Sequence, residues 1–270
     1  MNAKVRVGDL EVAYRFDGPQ DGPVVLMANS LMSNLAMWDP TVPALADKYR
    51  VLRYDKRGHG GTTVTPAPYS LEQLADDAVG LLDALKIERA HCVGLSIGGM
   101  LMQQVGARHP GRVLSLGLCD TASETPGVAR GLWNERIDTA RAKGASVLVD
   151  GTLGRWFTPP YAAREAATVA KIREMLLATD SEGYIGCASA VRDMVQTTML
   201  LKITAPTLII TGRQDMSTTV EQSMVLHRVI CHSELVIIED AAHLSNIEQP
   251  RAFNQALRGF LDRVEAQRKA

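Results

Sequence analysis

Ser96 sits in Gly94-Leu95-Ser96-Ile97-Gly98, with the apolar run Ala90 to Val93 before it and the helix-forming run Met100 to Arg108 after it. A serine that attacks a carbonyl has to leave the backbone at a sharp strand-to-helix turn, where its hydroxyl stands clear and the first helix amides point at the same spot. Such a turn brings main-chain atoms so close that only residues without bulk fit two positions before and after the nucleophile, here Gly94 and Gly98. The plain alternative is a glycine-rich turn that happens to hold a serine. The strand before it and the helix after it favour the chemical reading, and Ser96 is the candidate nucleophile.

A neutral hydroxyl is a weak nucleophile and needs a base that works near neutral pH, oriented by a third group. Of the histidines after Ser96, His109 lies at the end of the following helix, and His227 and His232 fall in or just after a surface helix. His243 stands in Asp240-Ala241-Ala242-His243-Leu244-Ser245-Asn246, just past the last strand, at the sheet edge where open α/β sheets gather their reactive groups. It is the candidate base. Two carboxylates compete to orient it: Asp215, after Leu208 to Gln214, and Asp120, after Leu116 to Cys119. Asp215 is preferred because nucleophile, acid and histidine then follow in the usual chain order. Asp240 reads as a turn residue, and Asp55 precedes the nucleophile and would break the order.

The tetrahedral intermediate carries an oxyanion that needs about two preorganised N–H donors. The amide of Ile97, at the start of the helix, is one candidate. The amide of Leu31, in the loop Asn29-Ser30-Leu31-Met32 after the strand Val24 to Ala28, is the other. No HxH, HExxH or paired-cysteine pattern suits a metal, and no GxGxxG or P-loop suits a nucleotide, so no metal or cofactor is expected.

The elements that must position these groups alternate. Leu10 to Phe16, Val24 to Ala28, Val51 to Tyr54, Ala90 to Val93, Val113 to Leu118, Ala205 to Ile210 and Leu235 to Ile238 read as strands. Leu35 to Lys48 reads as a helix with Pro40 and Pro43 shortening its start. Ser70 to Leu85 reads as a helix with a capping box at Ser70 and Gln73, and a last amphipathic helix follows Pro250. This alternation predicts an α/β fold: a mostly parallel sheet with helices on both faces. It lapses between 121 and 202, where only helical stretches occur, around 128–143, 162–179 and 185–194. The expected division is a core of 1–120 and 203–270 carrying a helical cap over 121–202.

The chain has 270 residues, 46% hydrophobic content and a net charge of −1, enough for one large domain and with no basic footprint for nucleic acid. No apolar run approaches the ~20 residues of a membrane span, and the first residues lack a signal-peptide core. The four cysteines stand singly, with Cys92 and Cys119 expected as core thiols. These features fit a cytoplasmic protein.

The stretches Asn29-Ser30-Leu31, Arg53-Tyr54-Asp55, Arg57-Gly58-His59-Gly60, Gly94 to Gly99, Arg155-Trp156-Phe157-Thr158 and Ala242 to Glu248 together resemble the 3-oxoadipate enol-lactonases. These are α/β-hydrolases of aromatic-compound catabolism, and the likeness runs over nearly the whole chain. The resemblance implies an α/β-hydrolase fold, a triad of Ser96, Asp215 and His243, oxyanion amides at Leu31 and Ile97, and a helical cap. The chain departs from the family's habit at Met32 (usually glycine), Lys56 (usually small), Ile97 (often methionine) and Asp120 (expected asparagine).

Substrate contacts are expected from Met32 and from the cap, with Trp133, Trp156, Phe157 and Tyr184 as candidates for an apolar roof. An enol-lactone that bears a carboxylate calls for a cation, for which Arg136, Arg192 and Lys56 are candidates. The expected partner is a small lactone or ester, hydrolysed through an acyl-serine. Acyl homoserine lactones, general carboxylic esters, perhydrolysis and simple binding under the cap remain alternatives.

Overall fold

In the computed structural model, which describes residues 2–269, eight strands form one sheet in the order β1-β2-β4-β3-β5-β6-β7-β8. These are β1 (Ala3–Val7), β2 (Leu10–Asp17), β3 (Val24–Ala28), β4 (Arg50–Tyr54), β5 (Ala90–Leu95), β6 (Val113–Cys119), β7 (Thr207–Gly212) and β8 (Ser233–Ile238). β2 pairs antiparallel with β1 and β4, and every pairing from β4 to β8 is parallel. The continuous apolar runs fall on the strands buried along their whole length, β5, β6 and β7, as expected for strands covered on both faces.

Side-chain alternation shows the two covered faces. His91 and Ser115 turn to one side, where His91 Nε2 lies 2.9 Å from Glu265 on the last helix, α10 (Pro250–Lys269). Leu116 turns to the other, against Gly106 of α2 (Ile97–Arg108). α1 (Leu71–Ala84) packs beside α2, and α8 (Val220–Val229) packs on β7 and β8. The Ser70 hydroxyl accepts the Gln73 N–H at 3.1 Å, fixing where α1 begins.

Three details differ from the sequence expectations. The stretch from Leu35 to Lys48 is no α-helix; it makes two short 3₁₀ turns, Leu35–Trp38 and Val42–Ala44, since Pro40 and Pro43 withhold the donors a continuous helix needs. β1 was not anticipated: it is an edge strand whose residues are exposed or half-buried. Between β6 and β7 there are five α-helices, α3 (Gly127–Lys143), α4 (Val149–Trp156), α5 (Pro159–Arg164), α6 (Ala166–Leu177) and α7 (Ser181–Arg192), against an expectation of three helical stretches.

The chain runs from β3 outward to β4 and then returns to β5 on the other side of β3. That reversal opens a crevice at the carboxyl ends of β3 and β5, where open parallel sheets bind their ligands. The loop 29–34 and Ser96 both emerge there. No helix among the described residues is long and apolar enough to cross a membrane.

Candidate active site

Ser96 joins β5 to α2 with φ 59° and ψ −122°, a conformation that costs about 1–3 kcal/mol and persists only where the surroundings over-determine it. Here they do. The Ser96 N–H donates to Cys119 O at 2.9 Å, and the Ser96 carbonyl accepts from Met100 N at 3.0 Å and from the Thr121 hydroxyl at 2.7 Å. A Cβ on Gly94 would lie 2.1 Å from Gly98 O, and one on Gly98 would lie 2.2 Å from Ala28 O. Both positions therefore exclude any side chain. The Ser96 hydroxyl makes no hydrogen bond among the described residues and opens onto a pocket that His243 also lines.

His243 follows β8 and is buried. Its Nδ1 lies 2.8 Å from Asp215 Oδ2, which also accepts the Thr218 hydroxyl at 2.7 Å. Asp215 Oδ1 takes the N–H groups of Ser217 at 2.7 Å and Thr218 at 3.1 Å. Burial works against ionisation of Asp215, but the attraction of His243 and these hydrogen bonds outweigh it and hold the carboxyl below its ordinary value. With Nδ1 committed to Asp215, the imidazole has Nε2 left for proton transfer.

Glu248 fixes the loop that carries His243. Its Oε2 accepts Ala242 N at 2.6 Å, and its Oε1 accepts both the backbone N–H of Thr158 at 3.0 Å and its hydroxyl at 2.6 Å. Trp156 lies against the imidazole, with ring centroids 5.5 Å apart. The Trp156-Phe157-Thr158 and His243-to-Glu248 stretches are thus one contact. Glu248 and Thr218 had no assigned role in the sequence, since nothing local marks a carboxylate or hydroxyl as a brace for a distant loop.

Asp120 faces elsewhere. It is fully buried, with Oδ1 accepting Gly212 N at 2.8 Å and Oδ2 accepting the Ser245 hydroxyl at 2.5 Å. Burial, then the nearby charge of Asp215, holds its carboxyl well above the ordinary value. The remaining candidates lie apart from the pocket. His109 contacts Asp76 at 3.1 Å, His227 contacts Ser233 at 2.9 Å, His232 and Asp240 are exposed, and Asp55 accepts the N–H groups of Leu35 and Gly61.

The N–H groups of Leu31 and Ile97 donate to no protein acceptor among the described residues, and both residues lie at the crevice beside Ser96. For Ile97 this follows from its place as the first residue of α2. Met32, next in the loop, has φ 59°. Its N–H donates to His59 Nε2 at 3.1 Å and its carbonyl accepts the Thr179 hydroxyl at 2.7 Å.

The pocket above Ser96 encloses about 230 Å³, below the ~300 Å³ at which drug-sized sites begin. Met32, Trp133, Trp156 and Tyr184 line it, as do Arg136 and Arg155. Phe157 does not; its ring stacks on Tyr161 at 5.4 Å. Arg136 lies over the Trp133 ring, 4.9 Å from its centroid. Neither arginine forms an ion pair among the described residues, although Glu124, which is exposed, also borders the pocket. Burial, then the charge of Arg136, holds the Arg155 guanidinium below its ordinary value, and burial pushes the Tyr184 phenol up to about 12.

Of the other expected cations, Arg192 pairs with Asp193 at 2.6 Å. Lys56 is buried behind the Leu31 loop, with Nζ 2.6 Å from Ser30 O. Neither lines the pocket, because one is satisfied at the surface and the other is covered by the loop itself. Arg155 takes a place that the sequence reading left without a role.

A family model described as the alpha/beta hydrolase fold matches residues 23–250. The chain is 35% identical to 3-oxoadipate enol-lactonase 2 of Acinetobacter baylyi over 255 residues, covering 94% of each chain. The solved enol-lactonase of Burkholderia xenovorans LB400 superposes with a TM-score of 0.93 at 38% identity, over 96% of this chain and 100% of that one. Est816, described as an N-acyl homoserine lactone degrading enzyme, superposes with a TM-score of 0.81 at 27% identity, over 96% of this chain and 100% of that one.

Proposed function

The chain belongs to the α/β-hydrolase family, among its 3-oxoadipate enol-lactonase-like members, and from that premise we propose that it opens small lactones that carry a carboxylate, without a cofactor. It is a hydrolase of the ester and lactone type. The observation that carries the substrate class is the pairing, in one small pocket, of Ser96 and His243 with two arginines that form no ion pair among the described residues.

In this reading His243 Nε2 takes the hydroxyl proton of Ser96 as its oxygen attacks the lactone carbonyl. Asp215 holds the imidazole in the required tautomer and stabilises it once protonated. The oxyanion of the tetrahedral intermediate is met by the N–H groups of Leu31 and Ile97. The ring C–O bond then breaks, His243 returns the proton to the departing ring oxygen, and a Ser96 ester remains. Water, deprotonated by His243, attacks that ester; His243 passes the proton to the departing Ser96 oxygen, and the hydroxy acid or its keto form is released. Arg136 and Arg155 hold the substrate carboxylate away from the reacting carbonyl, and the helices of 121–202 serve as the cap that shapes the pocket.

A neutral lactone with an acyl tail is the second reading. It is favoured by Leu132 and Met216, apolar side chains that border the pocket while 55% and 79% exposed. The deciding experiment compares 3-oxoadipate enol-lactone, acyl homoserine lactones and p-nitrophenyl esters as substrates for wild type and Ser96→Ala. The proposal expects the enol-lactone to have the highest kcat/KM and Ser96→Ala to lose activity on all three. A large preference for the acyl homoserine lactones would transfer the function to the second reading.

A further inference from the structure

The turn after β4 lies outside the pocket wall, yet it presents two buried titratable side chains to the back of the loop that carries Leu31. His59 accepts the Met32 N–H through Nε2, with Nδ1 facing Arg57 O at 3.2 Å. Lys56 is 2% exposed, and its ammonium donates to the carbonyl of Ser30 at 2.6 Å. That carbonyl belongs to the same peptide unit as the Leu31 N–H. In a trans peptide the two point in opposite directions, and the one cis bond among the described residues is elsewhere, at Ala67-Pro68. A cation that grips the oxygen from behind therefore aims the N–H away from itself, and it draws electron density off the nitrogen.

A merely structural role explains Lys56 poorly. The Ser30 carbonyl already accepts the Ser33 N–H at 3.3 Å and the Ser33 hydroxyl at 2.8 Å, so it would not be orphaned without the lysine. Burying an ammonium with one hydrogen bond and no ion pair among the described residues is costly, and a neutral side chain would fill the space at no such cost.

We propose that Lys56 is a positioning residue of the oxyanion hole, whose charge orients and polarises the Ser30–Leu31 peptide so that the Leu31 N–H binds the developing oxyanion more strongly. The inference rests on the serine-hydrolase reading above and adds to it a charged support behind one donor. The gain falls on the transition state, because the substrate carbonyl carries far less charge than the oxyanion.

The groups around Lys56 set its pH range. Asp55, its neighbour in the turn, has both carboxylate oxygens on backbone N–H groups. His59 is held well below its ordinary value by burial and then by Lys56, so it remains a neutral acceptor. Cys187 of α7, across the interface, is pushed up to about 12 by burial and stays a thiol. Burial brings the Lys56 ammonium down to about 8. The support is thus charged below that pH and fades above it.

The test is kcat and KM for wild type and Lys56→Met from about pH 6 to about pH 10, with Ser96→Ala as reference. At pH 7 the variant is expected to lose roughly tenfold in kcat with KM within about twofold, since deleting an oxyanion donor outright costs about 100- to 1000-fold. Wild-type kcat should fall with a midpoint of about 8, and that fall should be missing from Lys56→Met. A variant kcat within about twofold of wild type at pH 7 would overturn the inference. So would a wild-type profile with no alkaline fall, which decides the matter even if Lys56→Met does not fold. Activity that survives Ser96→Ala would defeat the serine reading itself; activity lost in Ser96→Ala but intact in Lys56→Met would defeat the role of Lys56 alone.

Discussion

His243 turns its Nδ1 to Asp215 at 2.8 Å, while Asp120, at the neighbouring strand end, gives its carboxyl to Gly212 and Ser245. The two acids therefore do different work, and their amides should have different consequences. Asp215→Asn places an amide donor or a weaker acceptor against Nδ1 and favours the wrong imidazole tautomer. It is expected to lower kcat by about 10⁴-fold, as in triads generally, with little change in KM. Asp120→Asn should keep kcat within about tenfold, because it removes no partner of His243. Steady-state kinetics on both variants checks this; equal losses would mean that Asp120 also serves the base.

Asp120→Asn should also change stability with pH. The folded-state pKa of Asp120 is raised by burial and then by Asp215, so the folded protein favours the protonated form. Its contribution is complete below the unfolded carboxyl pKa and is lost as pH rises through the folded value. Asparagine has no proton to lose, tolerates the φ of 43° at this position, and still accepts from the Gly212 N–H. The Tm advantage of Asp120→Asn over wild type should therefore widen from about pH 5 to about pH 8. A gap that narrows over this range would show that Asp120 is held as a charged carboxylate.

Much of the fold was readable because its signals are local. A strand covered on both faces is a continuous apolar run, as in β5 and β6, and the Ser96 turn needs glycines at fixed spacing. β1 escaped because an edge strand with Lys4 and Arg6 gives no apolar run. Leu35, Met37 and Trp38 are buried as a helical pattern predicts, but their burial comes from packing on β3, β4 and Phe253 of α10 and not from helix formation. Arg155 and Lys56 depend on contacts that no local pattern carries. One matters for forming no ion pair among the described residues, and the other for being covered by a distant loop. The tie between Thr158 and Glu248 spans 90 residues and is visible only when both stretches are placed.

Arg136 and Arg155 can be separated from general packing by their effect on different substrates. A charge-assisted hydrogen bond contributes about 1.5–3 kcal/mol, or roughly 10- to 100-fold in binding. Arg155→Gln and Arg136→Gln are each expected to raise KM for 3-oxoadipate enol-lactone by about tenfold or more, while p-nitrophenyl acetate, which has no carboxylate, changes by less than about threefold. Equal losses on both substrates would mean that the arginines shape the pocket and hold no anion. The Arg136 change also removes its stack on Trp133, so Arg155→Gln is the cleaner comparison.

Met32 combines a strained backbone with a buried side chain, and substitution by glycine sets the two against each other. At φ 59° a side chain costs about 1–2 kcal/mol relative to glycine. The methionine is only 1% exposed and borders the pocket; deleting a buried side chain of this size costs about 2–5 kcal/mol. Burial wins, so Met32→Gly should lower stability by roughly 1–3 kcal/mol despite removing the strain, as chemical denaturation would read. The vacated space lies beside Leu31, where the acyl part of a lactone would rest. Bulkier lactones should therefore gain in kcat/KM relative to 3-oxoadipate enol-lactone. If the variant is destabilised but the substrate ratio is unchanged, Met32 supports the loop without limiting what enters; if the variant is more stable than wild type, the strain at this residue exceeds the worth of its packing.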